Sequence, residues 1–544
     1  MRLKTHFSTV GLLTGTLFFS LSLTPTLLPR TEIIQGIISG LSLLAGYGVG
    51  VSGHWLYRYL ELRTPGERIQ RLIRLGSACI CVFIAVIFLW RANEWQRELR
   101  ALMGLEEAGP VHPVYVGVIA FSLFTALLLV AKLFRRTFQF LSTRLQIIIP
   151  RRVSHLVGLV AAFILFWSIL DGVIFKMALR AADRSYQEID ALIEPEFEQP
   201  ADPLKTGSPV SLVNWEEMGR QGRRFIARSP EAIDLAAFSN SGHSLSPLRV
   251  YVGANSADTP EERARLALEE LKRVNAFDRS ILALITPTGT GWVDPNAVDT
   301  VEYLHRGDIA SVAVQYSYLP SHLSLMLEGE YGAETARAVF REIYGHWTSL
   351  PHDSRPKLFL HGLSLGALNS DLSFELYDII EDPFHGVLWS GPPFRSDTWR
   401  TVTDQREPDS PAWLPRFRSG SVVRFANQNT GLDAPDTEWG SFRIAFLQYA
   451  SDPVTFFEPG SLYREPDWMS EPRGPDVSPD LRWFPIVTWL QLAADMAAGS
   501  SPPGFGHNYT AGDYLEAWLA LTEPEGWSEE GLQRLRRHFA DMNR

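Results

Sequence analysis

The segment from residue 362 to residue 366 reads Gly-Leu-Ser-Leu-Gly, a G-x-S-x-G pattern with one serine between two glycines. The apolar run KLFLHG leads into it, and a helical pattern of apolar residues follows. A sharp turn from strand to helix pushes a serine hydroxyl clear of a sheet, and flanking glycines tolerate the tight backbone. The positive potential at the helix start suits a developing oxyanion. The pattern therefore predicts Ser364 as a nucleophile; the alternative is a glycine-rich turn with a capping serine.

A serine hydroxyl becomes a good nucleophile only when a base removes its proton. In folds with such a strand-to-helix turn at the serine, called an elbow below, an acid and then a histidine follow the serine along the chain. Two histidines follow His385: His507, in the Gly/Pro loop SPPGFGHNY, and His538, in an Arg-rich helical segment. We expect His507 to be the base, because a loop after a long helix can carry an imidazole to the serine. His361 comes too early for this order and is expected to support the site from behind.

The acid that orients the imidazole should follow a strand between the serine and the histidine. The segment RIAFLQYASDPVTFF contains a strand pattern, a short turn and then Asp452. We expect Asp452 to hold the imidazole and to stabilise its charged form. Asp433 and Asp436, in the loop NTGLDAPDTEWG, are rival candidates. The alternative role for an aspartate before a proline is a helix cap or a turn.

An oxyanion hole requires two backbone N–H groups. We expect one from Leu365, the residue after the nucleophile. The other should come from the loop after the strand pattern SILALIT, where the sequence Thr-Gly-Thr-Gly begins at Thr288. Thr288 and Gly289 are the candidates there, and a simple turn is the alternative. The loop lacks a complete G-x-G-x-x-G pattern, which argues against dinucleotide binding.

The candidate residues follow segments that are typical of β-strands. Seven such segments occur, at residues 248–252, 280–286, 309–319, 357–362, 385–391, 421–427 and 443–449. Helical patterns lie between most of them, and one begins with a capping box from Thr259 to Glu262 with proline at its first position. Strands that alternate with helices form a parallel sheet with crossover helices. Residues 246–544 are therefore predicted to form an α/β domain with a mostly parallel sheet flanked by helices.

The first third of the chain has a different pattern, with five apolar runs at about residues 8–29, 33–56, 76–91, 113–131 and 155–175. About 20 apolar residues cross a bilayer as a helix. Lys and Arg are concentrated at the N-terminus and in the second and fourth connectors, as expected of cytoplasmic loops. We predict a transmembrane domain of about five helices over residues 1–180, and a polar linker over residues 181–245. The alternative for these runs is a set of buried core helices.

Sidedness depends on the number of spans. Five spans with a cytoplasmic N-terminus place the second domain on the extracytoplasmic side of the cell (inner) membrane, and an even number reverses this. The first run could instead be a cleaved signal peptide, but it lacks a small-x-small cleavage site. Asp171 lies in the last run near its outer end, where we expect a structural or interfacial role.

Composition narrows the class of protein. Of 544 residues, 46% are hydrophobic and 20% charged, which excludes a largely disordered chain. Residues 1–180 hold 19 Lys and Arg against 8 Asp and Glu, whereas the remainder holds 31 against 53. The acidic second part argues against nucleic-acid binding. Cys79 and Cys81 are the two cysteines, so a disulfide scaffold is excluded. The histidines of the second part lack metal-ligand spacing, and we expect no metal or other cofactor.

These motifs together resemble the α/β-hydrolase superfamily over residues 245–544. The chain looks most like bacterial predicted membrane-bound α/β-hydrolases, with several spans before the catalytic domain. The resemblance is carried by GLSLG around Ser364, YASDPV around Asp452 and GFGHNY around His507. It implies a Ser-His-Asp hydrolase or acyltransferase. Two departures from known lipases are Leu363 before the serine and a TPTGTGW loop instead of an HGGG-type one.

We therefore expect a membrane-anchored serine hydrolase that cleaves an ester or acyl bond through an acyl-enzyme. The expected substrate is a small molecule, a lipid or an acylated envelope molecule, and the expected partners are membrane lipids. One alternative is an acyltransferase that hands the acyl group to an envelope glycan or lipid. Another is a non-catalytic membrane scaffold, and a transporter role for the spans is a further one.

Overall fold

The structure is a computed structural model, and it divides the chain into two compact units. It describes residues 7–62, 66–106, 112–168, 186–187, 189–238, 244–320, 331–433, 437–470, 472–498 and 501–542. The helical unit comprises Met1–Ala181, Phe457–Ser470 and Asp476–Ser501; the sheet unit comprises Ala182–Phe456, Glu471–Pro475 and Pro502–Arg544. The candidates Asp452 and His507 both belong to the sheet unit, although most of the chain between them belongs to the helical unit.

The described α-helices and β-strands have the following bounds. The helices are α1 Thr9–Leu21, α2 Glu32–Tyr59, α3 Glu67–Leu102, α4 Pro113–Leu145, α5 Arg151–Trp167, α6 Gly219–Ala227, α7 Ala232–Ala236, α8 Pro260–Arg273, α9 Pro295–Leu304, α10 Tyr331–Ser349, α11 Leu365–Asp371, α12 Leu376–Ile379, α13 Asp397–Asp404, α14 Pro453–Phe456, α15 Val487–Ala498, α16 Ala511–Thr522 and α17 Glu529–Met542. The strands are β1 Leu248–Val252, β2 Ile281–Thr286, β3 Ile309–Val314, β4 Lys357–Leu363, β5 Gly386–Ser390, β6 Val423–Ala426 and β7 Arg443–Leu447.

Helices α1 to α5 lie at the five apolar runs. Among the described residues, three helical stretches are long and apolar enough to cross a membrane: Glu32–Tyr59, Arg68–Leu102 and Pro113–Leu145. The third run is the shortest in the sequence, yet it lies inside α3, which has 36 residues. Helix α1 is apolar but has 13 residues. Asp171 and the end of the fifth run lie outside the described residues.

Glycines bring α1 and α2 of the helical unit into close contact. A Cβ atom added at Gly46 would lie 2.6 Å from the carbonyl oxygen of Thr14, and one at Gly15 would lie 2.9 Å from that of Leu43. The hydroxyl of Thr14 donates to the carbonyl of Gly46 at 2.7 Å. Small residues allow this approach between apolar helices, where van der Waals packing and hydrogen bonds replace the hydrophobic effect.

A buried ion pair fixes α15 within the helical unit. Nε of Arg30, after α1, lies 2.8 Å from Oδ1 of Asp495, and both side chains are almost fully buried. The second carboxylate oxygen of Asp495 accepts from the N–H of Leu27 at 3.3 Å. The side-chain amide of Gln491 donates to the carbonyls of Ser22 and Thr24, at 3.1 Å each. Helix α15 is therefore an integral part of this unit, although it follows the sheet in sequence.

The sheet unit is built on a seven-stranded sheet with the order β1-β3-β2-β4-β5-β7-β6. Every strand pairing in the described residues is parallel. The four strands from β2 to β5 are buried almost throughout, as is typical of a sheet covered on both faces. The predicted strands and the α/β class are confirmed, as is the capping box at Thr259, whose hydroxyl accepts from the N–H of Glu262 at 3.2 Å.

The structure places the described residues of the expected linker, 181–245, in the sheet unit. Arg223 of α6 is buried, and its guanidinium donates to the carbonyls of Asp190 at 3.1 Å and Leu192 at 2.6 Å. The hydroxyl of Thr206 donates to the carbonyl of Arg249 in β1 at 3.1 Å. Arg223 and Thr206 thus attach this stretch to backbone carbonyls, in the case of Thr206 to one of β1.

Candidate active site

Ser364 occupies the single position between β4 and α11. Its φ of 58° and ψ of −124° lie in a region that non-glycine residues rarely adopt. Such a conformation costs about 1–3 kcal/mol and persists only where the surrounding structure imposes it. The N–H of Ser364 donates to the carbonyl of Ser390 at the end of β5, at 3.0 Å. The neighbouring strand thus holds the backbone of the elbow.

The two glycines of the motif lie so close to other backbone atoms that no side chain fits at either position. A Cβ added at Gly362 would lie 2.3 Å from the carbonyl carbon of Gly366, and one at Gly366 would lie 2.2 Å from the carbonyl oxygen of Thr286. The first turn of α11 therefore packs directly on β4 and on the end of β2. This packing brings the loop after β2 next to the elbow, as the sequence analysis expected.

The structure brings His507 and Asp452 together. Nδ1 of His507 lies 2.7 Å from Oδ2 of Asp452, and the carboxylate is fully buried whereas the imidazole is 25% exposed. Oδ1 of Asp452 accepts from the N–H of Val454 at 2.8 Å, at the start of α14. Oδ2 also accepts from the hydroxyl of Tyr509 at 2.7 Å. Asp452 therefore acts as a helix cap and as the partner of the imidazole at the same time.

The imidazole of His507 lies beside the strand end that holds the nucleophile. A Cβ added at Gly391 would be 2.6 Å from Cε1 of His507, and Gly391 directly follows Ser390, the acceptor of the Ser364 N–H. Nε2 of His507 is buried and has no hydrogen-bond partner within the part of the chain that the structure describes. The N–H of Gly506 donates to the hydroxyl of Ser451 at 2.9 Å and fixes the loop just before the histidine.

Gly391 itself is a site residue that the sequence analysis missed. Its φ of 48° and its contact with the imidazole both disfavour any side chain. The sequence offers a faint signal in the Ser-Gly pair that ends the β5 segment, but the neighbour that requires the glycine lies more than a hundred residues away.

The oxyanion candidates Leu365 and Thr288 differ in the surroundings of their N–H groups. Leu365 is the first residue of α11, where the N–H groups of a helix lack acceptors within the helix. The N–H of Thr288 already donates to the carbonyl of Trp292 at 2.9 Å. The structure therefore does not support Thr288 as a donor to an oxyanion, because its N–H is used in a hydrogen bond within its own loop. Gly289, next in the same loop, stays a candidate.

Two buried side chains that sequence reasoning missed hold this loop from behind. The hydroxyl of Tyr251 donates to the carbonyl of Gly291 at 2.7 Å. The side-chain amide of Gln315 donates to the carbonyl of Thr290 at 3.3 Å and to that of Ser317 at 3.0 Å. These bonds to two successive carbonyls restrict the orientation of the peptide groups in the loop.

The other candidates have different environments. Nδ1 of His361 bonds to the carbonyl of Leu388 at 2.8 Å, and burial lowers the pKa of His361 to about 4. His538 packs against the rings of Phe238 and Tyr303. Asp433 is exposed, and Asp436 lies outside the described residues.

A further buried acid, Asp294, lies in the neighbourhood of His507. Oδ1 of Asp294 accepts from the N–H of Asn296 at 3.0 Å and caps α9. Burial raises the pKa of Asp294 to about 7, while the hydrogen bond from the Asn296 N–H and the positive charge that His507 can carry lower it. Asp294 precedes the serine in the chain and is held by its own helix. It therefore contributes a neutralisable charge to the surroundings of the imidazole.

The described part of the chain contains no group of three or more His, Cys, Asp or Glu side chains that could hold a metal ion. The arrangement supplies instead a hydroxyl on a strained elbow, an imidazole oriented by a buried carboxylate, and a helix start beside the hydroxyl. Such a set suits nucleophilic attack on a carbonyl and stabilisation of the anion that forms.

Two family models match this chain. A family model described as "Alpha/beta-hydrolase family" matches residues 248–535, and one described as "Alpha/beta-hydrolase family N-terminus" matches residues 23–230. A search of curated proteins finds no match. A solved structure from work on LipS and LipT, two metagenome-derived lipolytic enzymes, matches with 21% identity and a TM-score of 0.15. That match covers 26% of this chain and 53% of the other, so it spans about half of that protein's length.

Proposed function

Because this chain belongs to the alpha/beta-hydrolase family, we propose that it is a serine hydrolase that cleaves an ester or related acyl bond with Ser364, His507 and Asp452. The observation that carries the proposal is the 2.7 Å contact between Nδ1 of His507 and Oδ2 of Asp452, beside a serine at φ 58°. A buried carboxylate in this position selects the tautomer in which Nε2 is free to accept a proton.

The reaction follows from this arrangement in two stages. Oγ of Ser364 attacks the acyl carbon while its proton moves to Nε2 of His507, and the carbonyl oxygen becomes an anion. The N–H of Leu365 and a donor in the loop after β2 stabilise that anion. The tetrahedral species collapses, and the leaving alcohol takes the proton from His507. Water then attacks the acyl-enzyme with His507 as base, and the carboxylic acid is released.

The experiment is labelling of the full-length protein, in detergent, with a fluorescent fluorophosphonate, which reacts with activated serines. We expect wild type to be labelled, Ser364→Ala to be unlabelled and His507→Ala to be labelled far more slowly. Ser370→Ala is the matched control, since Ser370 is a buried serine of α11, the helix that directly follows Ser364. A folded wild type without label, or a Ser364→Ala variant that keeps it, would refute the proposal.

We further propose that the enzyme is held in the cell membrane by its helical unit and acts on a lipid or an acylated envelope molecule. The long apolar helices support anchoring, and the substrate class follows from that placement. Resistance of the protein to carbonate extraction tests the anchoring. A C-terminal reporter, active on one side of the membrane only, tests the predicted extracytoplasmic side. Esters with acyl chains from acetyl to palmitoyl test the substrate class.

A further inference from the structure

Tyr509, two residues after His507, contacts the carboxylate that holds the imidazole. Its hydroxyl donates to Oδ2 of Asp452 at 2.7 Å, and Oδ2 is the same oxygen that lies 2.7 Å from Nδ1 of His507. The other oxygen, Oδ1, accepts from the N–H of Val454. The carboxylate is thus held on both oxygens, and it cannot rotate away from the imidazole without losing a bond.

The ring of Tyr509 is held by contacts that do not involve its hydroxyl. The ring is 1% exposed and stacks on Tyr449, with 4.4 Å between centroids. The carbonyl of Tyr509 accepts from the side-chain amide of Asn296, at the start of α9, at 3.0 Å. Replacement by phenylalanine therefore keeps the packing and removes the contact with Asp452 alone.

The hydroxyl remains a donor over the whole working range of pH. Burial raises the pKa of Tyr509 well above its ordinary value, and the negative charge of Asp452 raises it further. A neutral donor on a buried carboxylate is a strong hydrogen bond, because the acceptor carries a full charge in a medium of low dielectric constant.

We propose that Tyr509 is a positioning residue that fixes the Asp452 carboxylate and ties the His507 loop to it, so that the imidazole meets Ser364 in one orientation. This inference rests on the proposed function of the same site. Tyr509 acts through Asp452 and does not contact the reacting atoms. Its loss should therefore slow the chemical step and leave substrate binding unchanged.

The test is a double-mutant cycle on the full-length protein. Tyr509→Phe is expected to lower kcat for a p-nitrophenyl ester and the rate of fluorophosphonate labelling about tenfold, with KM unchanged. In an Asp452→Ala background the same change should have no further effect, because the acceptor is gone. Tyr344→Phe is the control, since its hydroxyl donates to the carbonyl of Asp382 at 2.8 Å and its ring stacks on Phe340, neither of which belongs to the site; we expect it to leave kcat within about twofold.

An equal loss of rate in both backgrounds would show that Tyr509 acts through packing, and an unchanged kcat would show that the hydroxyl is dispensable; either result overturns the proposal. Amide hydrogen exchange of residues 502–510 tests, without any substrate, whether Tyr509 holds the His507 loop against Asp452. We expect faster exchange in Tyr509→Phe and not in Tyr344→Phe, and equal exchange in wild type and both variants would overturn the proposal. A wild type that resists labelling at Ser364 would count against the proposed function. The exchange result would still decide whether Tyr509 holds the His507 loop against Asp452, because it does not depend on catalysis.

Discussion

Nδ1 of His507 and Oδ2 of Asp452 lie 2.7 Å apart, although 55 positions separate the two residues in the chain. Most of the intervening chain belongs to the helical unit. Asp452 and His507 lie at the two ends of this intervening stretch, and both belong to the sheet unit. Asp452 is held at the start of α14 by the N–H of Val454, and the loop of His507 is held by the hydrogen bonds of Gly506 and Tyr509.

Asp452→Asn should lower the rate of Ser364 labelling about 10³- to 10⁴-fold. The amide that replaces the carboxylate can present its NH2 group to the imidazole, which selects the wrong tautomer and leaves a positive His507 without a counter-charge. The labelling rate, measured beside the melting temperature, separates this effect from unfolding. Asp433→Asn is the matched control, because Asp433 is an exposed rival from the sequence. A larger loss in Asp433→Asn than in Asp452→Asn would reverse the assignment.

Gly391→Ala should displace the imidazole of His507. The new methyl group would lie 2.6 Å from Cε1 and 2.9 Å from Nδ1 of His507, and the φ of 48° adds strain. We expect a fall in kcat of at least about tenfold, because a displacement of about 1 Å at a catalytic group can cost as much as a hundredfold. Gly512→Ala is the control, since a Cβ there has ordinary contacts, the nearest at 3.7 Å. Unchanged ester hydrolysis by Gly391→Ala would contradict the placement of His507.

The parts of the site that depend on local pattern could be predicted from the sequence. The elbow at Ser364 needs a strand, a glycine-flanked serine and a helix in direct succession, and these are all visible between residues 357 and 371. The seven strands and the parallel sheet follow from short apolar segments that alternate with helices. The sequence could also nominate Asp452 and His507, because the order of residues along the chain limits the choice.

The parts that depend on contacts between distant residues could not be predicted. Gly391 is required by the ring of His507, and the hydroxyl of Tyr509 is aimed at Asp452; neither neighbour is visible in the local pattern. The Thr-Gly-Thr-Gly pattern after a strand nominates Thr288, but the direction of its N–H is set by a turn in which it donates to the carbonyl of Trp292. The place of Asp495 in the helical unit depends on Arg30, 465 residues earlier.

Asp495→Ala should destabilise the helical unit strongly. It leaves the Arg30 guanidinium buried without its counter-charge, and breaking a buried ion pair on one side costs about 3–5 kcal/mol. We expect the double change Arg30→Met and Asp495→Leu to be less destabilising than Asp495→Ala alone, because no unpaired charge then remains. Thermal unfolding in detergent measures both. Arg416→Ala, which breaks an exposed ion pair with Glu407, is the control, with an expected change below about 1 kcal/mol.

His361 should make the stability of the protein dependent on pH. Burial lowers its pKa from an ordinary 6.5 to about 4, so between these values the unfolded chain binds a proton that the folded chain does not. The stabilising effect of a neutral His361 is therefore complete above pH 6.5 and is lost as the pH falls towards 4. His361 contributes about 1.4 kcal/mol per pH unit to the slope of the unfolding free energy against pH within that window.

His361→Gln tests this contribution. It also removes ring contacts with Trp518 and should lower stability at every pH, but it should flatten the dependence of the unfolding free energy on pH between pH 6.5 and pH 4. Unfolding midpoints of wild type and variant across that range give the two slopes. Parallel slopes would show that His361 takes up its proton equally well in both states, against the burial and the Leu388 contact seen in the fold.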